Sequence, residues 1–117
     1  MNKEKNDQYQ IKFTTGAAKD LKAKACKPYV KEIFKTIGTL KNNPIAGECL
    51  EGSLLKVRSL HVSLKGSGQW RVAYLAMIDE GTCLVIAIGP RENFYKKANT
   101  RYKAIKAKLE KNRNSTR

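Results

Sequence analysis

The sequence predicts an α+β domain with helices packed on a small antiparallel sheet, in the order β-α-α-β-β-β-α. Three observations lead there. Val30, Ile33, Phe34, Ile37 and Leu40 follow the i, i+3, i+4, i+7 spacing of an amphipathic helix. Three strand-like segments lie between residues 54 and 88, joined by short glycine turns. And 117 residues, 41% hydrophobic and 29% charged, suit one modest core and no second domain.

Residues 1–8 are polar and are expected to form a flexible N-terminus. Tyr9, Ile11 and Phe13 alternate with Gln10 and Lys12, as in a half-buried strand. Thr14 or Thr15 can cap the helix that follows, over 17–27, with Ala18, Leu21 and Ala25 on its apolar face. Pro28 suits the first turn of the second helix, which Asn42-Asn43-Pro44 stops. Residues 44–53 read as loop. The strand at about 54–65 changes face near Arg58-Ser59, which requires a bulge or turn. Gly66-Ser67-Gly68 forms a hairpin, and residues 70–78 alternate again. The run 83–88 has no polar residue and reads as a strand buried on both faces. From about Asn93, the residues Phe94, Ala98, Tyr102, Ile105 and Leu109 line one side of a last helix. The domain is expected to span 9–111, with 112–117 a flexible C-terminus.

Lysine and arginine number 24 against 10 acidic residues, a net charge of +14. A small domain so cationic attracts polyanions, and a non-catalytic nucleic-acid-binding module is one reading of that charge. No apolar stretch approaches the roughly 20 residues of a membrane helix, and the polar N-terminus does not fit a secretory signal. Cys26, Cys49 and Cys83 are too scattered for a disulfide framework and are expected to be reduced thiols in a cytoplasmic protein. With one histidine in the chain, neither a metal site nor another cofactor is expected. There is no GxSxG elbow, and the 66–68 loop is too short to cradle a phosphate.

The remaining polar pattern is informative. His61, Ser63 and Lys65 share one strand face, Arg71 follows the hairpin, Arg91 follows the apolar strand, and Tyr95 lies one helical turn later. If the strands are neighbours, these side chains converge; the same residues would also furnish an ordinary solvated sheet face. A converged cluster suits phosphate-ester chemistry on RNA. Arginine matches phosphate oxygens, a histidine or lysine nitrogen can take a proton, and RNA carries its own 2′-OH nucleophile. An aromatic ring beside them can stack a base.

Three segments resemble the RelE/ParE superfamily of bacterial toxins. ECLEGSLLKVRSLHV (48–62) is similar to its L-x-G-S-L-x-G-L-R-x-L-R-V segment, and GQWRVAYLAMID (68–79) to its G-x-Y-R-V-x-Y strand. LVIAIGPRENFYKKANTRYKAI (84–105) resembles its apolar strand, I-G-x-[RH]-x-x-x-Y corner and last helix. The likeness covers roughly residues 9–109. It implies a twisted antiparallel sheet with an N-terminal helical hairpin, in a type II toxin that cleaves mRNA at the ribosome or, in the ParE-like branch, inhibits DNA gyrase. It also implies an antitoxin that covers the basic groove.

Carried over by position, Arg71 matches the strand arginine that stabilises the transition state. Arg91 matches the cationic corner, and Tyr95 the aromatic that orients substrate. Where the family's best-studied branch has two strand lysines, this chain has His61 and Ser63, or Lys65 in a shifted register. That departure leaves His61 as first candidate for proton acceptor and Lys65 as second. Glu92 is either a base or a residue of the helix's first turn. Lys56, Arg58, Ser63, Lys96 and Lys97 are expected to contact RNA or the ribosome. Trp70 either packs in the core or joins them.

Overall fold

The computed structural model describes residues 8–50, 56–66, 68–90 and 94–115, with side chains of the last helix to Lys108. Strand β1 (Gln10–Phe13) leads into α1 (Thr15–Lys22), capped by Thr14, whose Oγ1 accepts the Ala17 N–H at 3.1 Å. The helix is shorter than its alanine-rich sequence suggests. Ala23 turns extended (φ −64°, ψ 146°), and the following turn drives Cys26 fully into the core while Ala25 stays exposed. Burial of Cys26 outweighs the helix propensity of 23–27. A short 3₁₀ turn holding Pro28 precedes α2 (Val30–Gly38). Ile33, Ile37 and Leu40 of the expected apolar stripe are buried, whereas Phe34 is exposed.

Strands β2 (Glu48–Cys49), β3 (Arg58–Leu64), β4 (Gly68–Met77) and β5 (Thr82–Pro90) and helix α3 (Phe94–Ser115) complete the domain. The spatial order is β1-β5-β4-β3-β2. The meander β3-β4-β5 is antiparallel as expected. Two features differ from the sequence reading. Strand β1 pairs parallel to β5, so the sheet is mixed, and the expected loop 44–53 contributes the two-residue β2. The expected domain boundary at 111 falls inside α3.

One sheet face carries Leu60, Val62, Leu64, Val72 and Tyr74 against Ile33, Ile37 and Leu40. On the other face α3 lays Phe94, Ala98 and Tyr102 over Ala73, Leu75 and Ala87. Full burial of Phe94 alone contributes about 2–3 kcal/mol to docking α3. A bulge between Ala73 and Tyr74 relative to β5 lets both faces of these long strands stay packed. Cys26 and Cys83 are buried within this framework, and burial pushes both thiols up, away from thiolate chemistry.

Candidate active site

The β3–β4 register sets His61 directly opposite Arg71. The strand period then turns both side chains to the sheet face that bears α3, in the part that the helix leaves open. Arg71 Nη1 and His61 Nε2 are hydrogen-bonded. The guanidinium also sits over the Tyr95 ring, with Cζ 5.6 Å from its centroid. Phe94 anchors that ring from below, edge to face at 5.3 Å. Arg71 Nε is buried and has no hydrogen-bond partner among the described residues. A buried, unpaired donor on a cation is costly unless a ligand completes it.

A fourth group joins these three. Glu48 Oε1 lies 3.4 Å from His61 Nε2, at an exposed rim. Its position is set from a distance. The Tyr74 hydroxyl donates to Pro44 O (2.8 Å) and accepts the Gly47 N–H (2.9 Å), while Arg58 Nη1 donates to Gly47 O (2.7 Å) and Ile45 O (3.2 Å). The loop thus pinned delivers Glu48 to β2, opposite Ser59. Glu48 gives no signal in the sequence, because it lies in a stretch without periodicity.

The other expected site residues are spread out. Ser63 accepts a bond from Gln69 Nε2 at 3.1 Å on the same face, beyond His61. Lys65 is exposed in the β3–β4 turn, and Lys56 and Lys96 are exposed as well. Arg58 is committed to backbone carbonyls of the 45–47 loop. Lys97 donates to Ile88 O at 2.8 Å and pairs with Asp20 at 3.3 Å, so it serves the sheet edge rather than the open face. Trp70 is 4% exposed and lies 6.4 Å from the Tyr29 ring, so it offers no free face to a base. Arg91 and Glu92 lie outside the described residues. Among the described residues, no three His, Cys, Asp or Glu side chains are grouped as a metal site.

The model of a family described as ParE-like toxin of type II bacterial toxin-antitoxin system matches residues 9–99. The chain belongs to this family of toxins. No curated protein matches it in sequence. Among solved structures, the toxin resembles a free double-arginine mutant of Escherichia coli RelE: 20% identity, TM-score 0.62, covering 80% of this chain and 97% of that one. It also resembles a chain of the RelBE2 toxin-antitoxin complex of Mycobacterium tuberculosis, at 23% identity and TM-score 0.58 over 72% of this chain and 99% of that one. A YoeB/ParE toxin from Agrobacterium tumefaciens is similar at 18% identity and TM-score 0.54, over 70% and 98%. These likenesses place the mixed sheet with its C-terminal helix in the RelE-type fold.

Proposed function

We propose that this toxin is a metal-independent endoribonuclease that cuts mRNA, in association with the ribosome, and so blocks translation. One observation carries the reading: Arg71, His61, Glu48 and Tyr95 meet on a single open face. In this mechanism the Arg71 guanidinium grips the scissile phosphate, and its buried Nε gains the acceptor it lacks. His61 takes the 2′-OH proton, the 2′ oxygen bonds to phosphorus, and the P–O5′ bond breaks. The departing oxygen takes a proton from water, leaving a 2′,3′-cyclic phosphate. Arg71 offsets the charge that gathers on the phosphorane. Tyr95, exposed on one side, orients the adjacent nucleotide by stacking. Arg91 is assigned a second grip on the phosphate from the family motif, and Lys65 is the alternative proton acceptor. Lys56 and Lys96 supply exposed charge for the RNA backbone. Solved relatives in complex with antitoxins support a cognate antitoxin as partner, and this basic face is assigned to it for its charge.

The test is induction in cells. Wild type should arrest growth with mapped cuts in mRNA. Folded Arg71→Ala should relieve the arrest and slow cleavage about 10²-fold or more. If folded Arg71→Ala stays fully toxic, this site assignment fails. The ParE-like description of the matched family favours a second reading, inhibition of DNA gyrase without nuclease chemistry. A DNA damage response with intact mRNA would select it.

A further inference from the structure

The site has a conflict at one atom. His61 Nε2 faces a donor, Arg71 Nη1, and an acceptor, Glu48 Oε1. A ring nitrogen has either a lone pair or a proton, so it can serve only one of them at a time. While Nε2 holds a lone pair it accepts from Arg71, and that lone pair is then occupied and cannot attack a 2′-OH proton. Once Nε2 carries a proton it can no longer accept from the guanidinium, and two cations face each other. Among the described residues, Glu48 is the carboxylate within reach to receive the N–H.

We propose that Arg71 and Glu48 are alternate partners of His61 Nε2, and that Glu48 is a positioning residue for the imidazolium. Arriving phosphate draws the guanidinium away and so unmasks the base. The inference rests on the nuclease reading for its purpose, though not for its geometry. An anionic phosphate oxygen is a stronger acceptor for Arg71 than a neutral imidazole. With Arg71 turned to the phosphate, the freed lone pair of Nε2 takes the 2′-OH proton. The resulting N–H donates a hydrogen bond to Glu48, keeping its proton, as the O2′–P bond forms and P–O5′ breaks, with water protonating the leaving oxygen. Like-charge repulsion between imidazolium and guanidinium then holds Arg71 on the phosphorane. The base is thus masked when no phosphate is bound, and the step that charges His61 also commits Arg71.

His61 is the chain's one histidine, so its ring nitrogens can be followed by ¹⁵N NMR without ambiguity. In alkaline buffer the free toxin should show the Nδ1–H tautomer, because Nε2 accepts from Arg71. Arg71→Met should move the proton to Nε2, facing Glu48. Saturation with a short oligodeoxynucleotide, which has no 2′-OH and is not cut, should shift the wild-type Nε2 signal toward that of a protonated nitrogen. Glu48→Ala, which has no side-chain acceptor, should bind the same oligonucleotide and lose most of that shift. An Nε2–H tautomer in the free wild type would overturn the proposal. So would an unchanged imidazole when backbone signals show the oligonucleotide bound. Intact exchange in a toxin that leaves RNA uncut would end the nuclease reading alone.

Discussion

At the scale of the residue, the site depends on contacts made far away in sequence. Gly47 shows it best. A Cβ there would lie 2.9 Å from both Ser59 O and Tyr74 Cε1, and neither backbone nor a pinned ring can yield cheaply. Gly47→Ala should therefore cost about 1–3 kcal/mol in denaturant unfolding. It should also displace Glu48 from His61, which the imidazole ¹⁵N signal would report. A variant as stable as wild type would show that the loop accommodates the methyl. The pairing of His61 with Arg71 was legible, because a two-residue side-chain period and a tight hairpin place them on one face. Glu48 was not: its neighbours carry no period, and its anchor, Tyr74, is 27 residues away from Gly47. Nor does a lysine or arginine announce in sequence whether it faces solvent or caps a carbonyl. That is why Arg58 and Lys97 looked like RNA contacts and are occupied elsewhere.

At the scale of the element, the unusual feature is how β5 ends its pairing. Strand β1 covers only Thr82 to Val85. Beyond that, side chains take over the edge. Arg101 donates to Ile86 O (2.9 Å), Asp20 Oδ2 accepts the Ile88 N–H (2.9 Å), and Lys97 donates to Ile88 O. Asp20 also binds Arg101 through both oxygens, at 2.7 and 3.2 Å. One carboxylate from α1 thereby joins the open edge of β5 to α3, the helix that holds Tyr95 over Arg71. Asp20→Ala would leave two partly buried cations and a backbone N–H without it. The expected loss is about 2–4 kcal/mol in urea unfolding, with Asp20→Asn losing less because its amide oxygen still accepts from Ile88. Equal losses in the two variants would mean that charge is irrelevant to the edge. Helix periodicity revealed α2 and α3, and glycine turns revealed the meander. The parallel seat of β1 left no trace, since a four-residue alternating strand does not encode which neighbour it will meet.

At the scale of the whole molecule, the net charge of +14 was plain from composition, but its division between structure and surface was not. Lys97, Arg101 and Arg58 are spent on internal partners. Lys56, Lys65 and Lys96 are exposed, and Arg71 Nε has no partner among the described residues. If those four cations each neutralise one phosphate, binding of an uncleavable single strand should fall with salt at a log–log slope of about −2.8, from about −0.7 per phosphate. Raising salt from 50 to 200 mM would then weaken binding about fifty-fold. Replacing Arg71 by Ala should reduce the slope by about 0.7 and weaken binding at every salt concentration. Lys108 lies toward Phe13 and Thr14 on a different flank, so Lys108→Ala should leave the slope unchanged. Fluorescence anisotropy across a salt series measures all three. A slope near zero would mean that the positive surface does not bind the strand. A slope that Arg71→Ala and Lys108→Ala change equally would mean that charge acts diffusely and that the open face is not where the phosphates sit.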